Sequence, residues 1–294
     1  MLPRSERGVR YRRANRTRHS AHLKLSGSLA TFVVAVLVTG ASASGTVRPA
    51  DQMPDRAQNP PGTVMNTNKG TSKSTNWSGY AVTGGTFSSV AASWVVPSVS
   101  CPNQAQGAAF WVGIDGYASS DHAAEQTGTD SDCLKGNKKK PGGPSYYAWW
   151  EIVTPSSTSS STIGHGVCPG DQMSAGVSGA GDSYTLTLTD SSTCSTRGPW
   201  SFTTTQAPSA TPAASSAEWI AEAPGICASA GSCKTEKLSD FGSVTFNGAS
   251  ANGVGLSSYA TSQVHAITMA KGKTVKAEPY GLSSSSFGVA WEHN

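Results

Sequence analysis

Short apolar or alternating runs recur roughly every 10–15 residues from Asn76 to the end of the chain, with Gly, Pro, Ser and Asp in the gaps. Tyr184-Thr185-Leu186-Thr187-Leu188-Thr189 alternates without a break, so Tyr184, Leu186 and Leu188 share one face of an extended strand. Comparable runs are Trp77–Val82, Ala91–Val96, Ala108–Ile114, Tyr146–Ile152, Gln172–Val177, Trp200–Thr204, Glu218–Glu222, Ser243–Phe246, Val264–Met269, Thr274–Glu278 and Phe287–Trp291. No segment sustains a helical period, and no internal repeat is visible. A dozen strands in about 220 residues predict one all-β domain, a sandwich or closed barrel. Composition agrees: 14% of residues are charged, with Gly 32 and Pro 16. That excludes a helical bundle or coiled coil, which would be rich in Ala, Glu, Lys and Leu.

The net charge of +4 is unevenly spread. Residues 1–43 hold eight of the 22 Lys and Arg but one of the 18 acids. From Asn76 onward 10 basic residues face 15 acidic ones, a net of −5. Such a body does not suit nucleic acid, which needs clustered cations. The basic start leads into an apolar stretch, Leu29 to Val38, and then Ala41-Ser42-Ala43. This is the pattern of a secretory signal, with cleavage expected after Ala43. The apolar run is too short to span a bilayer, which takes ~20 residues. The expected product is secreted and extracellular, with no membrane contact once the signal is gone. Residues 44–72 are polar and rich in Pro, Asn, Thr and Gly. Composition alone leaves them open between a linker and a removable propeptide. The folded domain is expected over 73–294.

Six cysteines follow the signal: Cys101, Cys133, Cys168, Cys194, Cys227 and Cys233. In an exported chain an even number reads as disulfides. Cys227 and Cys233 bracket a short turn and are expected to pair. Cys101–Cys133 and Cys168–Cys194 are the simplest remaining pairs. There is no Cys-x-x-Cys and no paired His spacing, so neither a metal nor another cofactor is expected.

No Gly-x-Ser-x-Gly elbow is present, and His122, His165 and His265 carry no triad signature. The scarce carboxylates say more. In Ala217-Glu218-Trp219-Ile220-Ala221-Glu222, residues 218, 220 and 222 share one strand face. In Tyr146-Tyr147-Ala148-Trp149-Trp150-Glu151, Trp149 and Glu151 share another. Acids beside indole rings on a half-buried face suit general acid–base work. The other reading is an acid facing solvent on an edge strand.

Six motifs occur in order: Asn76-Trp77-Ser78-Gly79-Tyr80, Trp111-Val112-Gly113-Ile114-Asp115-Gly116, Gln126-Thr127-Gly128, Tyr146–Glu151, Ala217–Glu222 and Asp240–Phe246. From Asn76 to the C-terminus the series resembles the glutamic peptidases, the eqolisins of the scytalidoglutamic and aspergilloglutamic type. The resemblance implies a lectin-like (concanavalin A-like) sandwich of two curved antiparallel sheets, with the site on the concave face. It implies a precursor with a propeptide, here residues 44–72, and an acid endopeptidase acting on polypeptide as a monomer. The family's catalytic pair falls on Gln126 and Glu222. Glu222 would take a proton from water and return it to the leaving amine, while Gln126 stabilises the oxyanion. Trp111, Asp115, Trp149 and Glu151 match the positions around that pair. Three features depart from the family pattern: Tyr147 stands where fungal members carry Asp, Glu125 precedes Gln126, and the Lys138–Gly143 loop has no counterpart. A secreted glycosidase or carbohydrate-binding sandwich using Glu151 and Glu222 is the alternative, and a sandwich that only binds peptides is a third reading.

Overall fold

The computed structural model describes residues 64–67, 71–118, 123–154, 157–192, 198–227 and 233–294. The expected signal, most of residues 44–72, His122 and Cys194 lie outside them. The described residues form strands and one short 3-10 turn. In chain order the strands are β1 (Val64–Thr67), β2 (Thr71–Ser74), β3 (Trp77–Thr83), β4 (Ser89–Val95), β5 (Ala109–Ile114), β6 (Ala124–Leu134), β7 (Gly143–Thr154), β8 (Ser157–Gly166), β9 (Gln172–Ala180) and β10 (Ser183–Asp190). They continue with β11 (Trp200–Gln206), β12 (Ser216–Glu222), β13 (Gly225–Cys227), β14 (Cys233–Thr235), β15 (Ser243–Ala251), β16 (Val254–Gly255), β17 (Val264–Lys271), β18 (Thr274–Ser283) and β19 (Ser286–Trp291).

One layer runs β2–β17–β3–β12–β5–β6–β7–β8, antiparallel except where β2 meets β17. The other runs β18–β19–β15–β4–β9–β10–β11, antiparallel throughout. β17 joins the layers: its first half pairs with β3 and its end with β18. β2 adds residues 71 and 72 to the sheet, just ahead of the boundary expected at 73. All twelve sequence-derived strands have counterparts. β6 and β8 have none in the sequence reading, because AEQTGTDSDCL and STSSSTIGHG are too polar to show an apolar alternation.

The layers meet over one core that includes Trp94, Phe110, Leu186, Leu188, Trp219, Phe246 and Phe287. β10 alternates as its sequence requires, with Tyr184, Leu186 and Leu188 fully buried. Two indole N–H groups lock the layers together. Trp94 on β4 donates to Thr129 Oγ1 on β6 at 3.0 Å, and Trp219 on β12 donates to the Ala91 carbonyl on β4 at 2.9 Å. A buried indole N–H needs such a partner. Cys101–Cys133 is disulfide-bonded, as expected. Cys168 is disulfide-bonded too. Cys227 and Cys233 are Cα partners across the β13–β14 hairpin.

β3, β5, β6 and β12 differ from β10, since both of their faces are buried. One face joins the common core. The other carries a second cluster built on Trp77, Trp111, Tyr147, Trp149 and Ile220. The first sheet therefore forms a trough whose floor is shielded from water, and the candidate site lies there.

Candidate active site

Strand register sorts the trough floor into rows. One row reads Ala81, Glu218, Gly113, Gln126, Glu151 and Ser160 across β3, β12, β5, β6, β7 and β8. Two residues along, the next reads Gly79, Ile220, Trp111, Gly128, Trp149 and Thr162. The third reads Trp77, Glu222, Ala109, Asp130 and Tyr147. Side chains alternate between faces, so all three rows project from the same side. Gln126, Glu222, Trp111, Trp149 and Glu151 thus share one surface. Gln126 and Glu222 stand two rows and two strands apart, with Trp111 between them.

Two glycines make room for Trp111. A Cβ on Gly113 would lie 2.9 Å from Trp111 Cζ3 and 3.1 Å from Gln126 Cβ. The six-membered ring of Trp111 therefore lies over Gly113, in the register row of Gln126, while its pyrrole N–H reaches Glu222. A Cβ on Gly128 would lie 2.1 Å from the Phe110 carbonyl oxygen and 2.6 Å from Trp111 Cβ. No side chain fits between Trp111 and Trp149 in that row. Trp77 closes the other flank of Trp111, edge to face at 5.0 Å between ring centroids.

Buried carboxylates need donors, and here the donors are aromatic or amide groups. Glu222 is fully buried. Its Oε2 accepts from Trp111 Nε1 at 2.8 Å and its Oε1 from Asn76 Nδ2 at 3.1 Å. Asp130 accepts from Trp149 Nε1 and from the Tyr147 hydroxyl, each at 2.6 Å. Glu151 Oε2 accepts from Gln126 Nε2 at 2.7 Å. That bond fixes which end of the Gln126 amide is nitrogen, since a carboxylate needs a donor. Gln126 Oε1 is buried with no hydrogen-bond partner among the described residues. An unpaired buried carbonyl costs about 1–3 kcal/mol, a cost that a bound water removes.

The titratable groups around the floor are shifted. Glu236 is pushed up to about 7 by burial and by the negative charge of Asp130. At the other end, burial raises the Tyr117 phenol, the Ser72 hydrogen bond lowers it in part, and the Glu218 charge raises it further. Tyr117 stacks on His265, whose pKa is lowered by burial and whose Nε2 meets Thr83 Oγ1 at 2.8 Å.

The peptidase A4 family model matches residues 75–291, which take in every strand from β3 to β19. The chain belongs to the peptidase A4 family, the eqolisins or glutamic peptidases. It is accordingly a glutamic endopeptidase by family. Solved structures share the fold. A scytalido-glutamic peptidase with a transition-state analog inhibitor aligns with TM-score 0.58 and 23% identity, over 74% of this chain and 98% of that one. A scytalido-glutamic peptidase with a peptide-based transition-state analog gives 0.56 and 24% over the same shares. SCP-B, an eqolisin in complex with the tripeptide Ala-Ile-His, gives 0.56 and 23%, also over those shares. Among curated proteins none matches the chain.

In this glutamic peptidase Asp115 sits just past β5, with φ at +67°. Its carboxylate accepts the Ala214 and Ser215 main-chain N–H groups, each at 2.6 Å, and the Ser215 hydroxyl at 3.2 Å. It ties the segment before β12 to the end of β5. Sequence reasoning missed Asn76, Asp130 and Glu236 as site residues. Asn76 reads as a glycosylation sequon with Ser78, yet its side chain is buried against Glu222. Asp130 had a readable signal, since 126, 128 and 130 fall on one strand face. Tyr147, in the position where an Asp was expected, gives Asp130 a hydroxyl donor instead of a second acid. Glu125 is fully buried, directly before Gln126. Glu236 lies over Gly107, where a Cβ would approach its Oε2 to 2.7 Å, and no sequence pattern announces it.

Proposed function

We propose that the chain is an exported acid endopeptidase in which Glu222 and Gln126 activate one water against a peptide carbonyl. The observation that carries this reading is the complementary wiring of the pair. Trp111 and Asn76 hold both Glu222 oxygens by N–H donors, which favours the carboxylate, the form needed in a base. Glu151 holds one N–H of Gln126, leaving a second N–H and the unpartnered Oε1 for ligands. Glu222 takes a proton from water as the oxygen adds to the carbonyl carbon. The free N–H of Gln126 stabilises the resulting oxyanion. Protonated Glu222 then gives its proton to the amide nitrogen, the C–N bond breaks, and the carboxylate is restored. Gln126 does not titrate, so one ionisable group carries both proton transfers. Trp111, between the two, keeps bulk water from the reacting bond.

Residues 1–43 act as the export signal and residues up to about 72 as a propeptide in this reading. The known peptide complex of an eqolisin supports polypeptide as the substrate class. The test is cleavage of a denatured protein by the purified precursor from pH 2.5 to 7, beside Glu222→Gln, Gln126→Ala and Gln126→Glu variants. We expect cleavage in acid by the wild type and a loss of at least about a hundredfold in each variant. N-terminal sequencing of the secreted product checks the two processing sites. If Gln126→Ala cleaves as well as wild type, or if Gln126→Ala spares hydrolysis of a polysaccharide that Glu151→Gln abolishes, the dyad is wrong.

A further inference from the structure

Beside the Asn76–Glu222 end of the trough lies a cavity of about 410 Å³, lined among others by Thr75, Glu236, Asn294 and three lysines, Lys237, Lys271 and Lys276. Thr75 directly precedes Asn76, the donor to Glu222, and Glu236 borders Asp130. The cavity therefore lies next to residues that flank the site. Its charge is unlike the rest of the domain, which is net acidic. Among the described residues Lys237 reaches only Gln104 Oε1, at 3.4 Å. Lys276 is 8% exposed, and its charged neighbour is Lys271, so two ammonium groups repel one another across the wall. Burial, and then Lys271, lower the Lys276 pKa. Glu236 offers the lysines no counter-charge in acid, since it stays protonated up to about pH 7. An anion entering the cavity would relieve the repulsion and replace lost hydration.

We propose that this cavity is a subsite that takes a carboxylate of the peptide substrate on Lys271 and Lys276. The carboxylate is an Asp or Glu side chain or the terminal group of the peptide. The inference rests on the peptidase reading of the adjoining site. It predicts selectivity that depends on the ionisation of the substrate. At pH 5.5 a substrate carboxylate is charged while Glu236 is still protonated. At pH 3 the substrate carboxyl is protonated and the preference disappears.

The test uses paired peptides that carry Glu or Gln at each position in turn, each with a free or an amidated C-terminus. Binding is read by fluorescence anisotropy on the full-length Glu222→Gln protein, and kcat/KM on the active enzyme. The expected result is one position, or the free terminus, favoured about fivefold at pH 5.5, the size of one partly exposed ion pair. The ratio falls to about one at pH 3, and also in the Lys271→Gln/Lys276→Gln double variant at pH 5.5. Lys271 is exposed, so Lys271→Gln alone serves if the double variant does not fold, and it lowers the ratio at least about twofold. Equal binding of every pair at pH 5.5, or a preference that survives the loss of Lys271, overturns the subsite. Cleavage without selectivity refutes the subsite alone, whereas selective binding without cleavage by the active enzyme upholds it and refutes the peptidase reading.

Discussion

Glu236→Gln should make the protein less sensitive to neutral pH, and the size of the effect follows from the site. The folded chain raises the Glu236 carboxyl from its ordinary 4.5 to about 7, first through burial and then through Asp130. Below pH 4.5 the group is protonated in both folded and unfolded states and contributes no pH dependence. Between 4.5 and 7 the unfolded chain releases the proton while the native one keeps it, so stability falls as pH rises. Above 7 both states are ionised and the loss is complete. A rise from 4.5 to about 7 corresponds to roughly 3 kcal/mol, at about 1.4 kcal/mol for each pH unit. Glu236 is only partly buried, so solvent screening reduces this to about 1–2 kcal/mol. The assay is urea unfolding of wild type and Glu236→Gln at pH 4, 5.5, 7 and 8. Other buried acids contribute to both curves, and their contribution cancels in the difference, which belongs to residue 236. The variant should gain about 1–2 kcal/mol on wild type between pH 4 and pH 8. A difference that is constant with pH, or that changes in the opposite direction, would refute the placement of Glu236 against Asp130.

Trp111→Phe keeps the ring between Gln126 and Glu222 but removes the N–H that Glu222 Oε2 accepts. Because a hydrogen bond to a charged group contributes about 1.5–3 kcal/mol, kcat/KM should fall about tenfold to a hundredfold, read as initial rates on a peptide substrate. Gly128→Ala places a Cβ against the Phe110 carbonyl oxygen and Trp111 Cβ, two groups that cannot move aside. It should cost more than about 3 kcal/mol in urea unfolding, and a cost below about 1 kcal/mol would contradict the register of β5 on β6. Replacing Cys101 and Cys133 with Ser opens a loop whose ends are 32 residues apart. Loop-closure entropy puts the loss near 3–4 kcal/mol, with the midpoint of thermal unfolding as the readout.

The second layer was legible where its strands keep one face open to solvent. β10 and β11 alternate in burial, and their sequences alternate with them. The central strands of the first layer lose that signal. β12 reads as a run of two acids, two alanines, Trp219 and Ile220 after Ser216 because both of its faces are buried, one in the common core and one in the trough. β6 is harder still: ten of its eleven residues are buried, yet most are Glu, Gln, Thr, Asp, Ser or Gly. No hydropathy rule finds such a strand. Only the ordered motifs located Gln126, and only strand parity could have added Asp130.

The central carboxylates of this trough are tolerable because neutral donors satisfy them in a fixed order. Two indoles serve two carboxylates, Trp111 on Glu222 and Trp149 on Asp130. An indole is a donor that neither titrates nor competes for a proton. A Lys or Arg in either place would pair with its carboxylate and hold it ionised as a salt bridge, leaving a weaker base. A second acid would instead share its proton. The indoles hold Glu222 and Asp130 in position without doing either. Gly113 and Gly128 supply the space that Trp111 needs, and Gly128 on β6 separates the two indoles on β5 and β7. The Trp-x-Gly and Gln-x-Gly patterns on facing strands are therefore one device: rings supply the hydrogen bonds, glycines supply the room, and in the mechanism we propose the proton chemistry is left to Glu222.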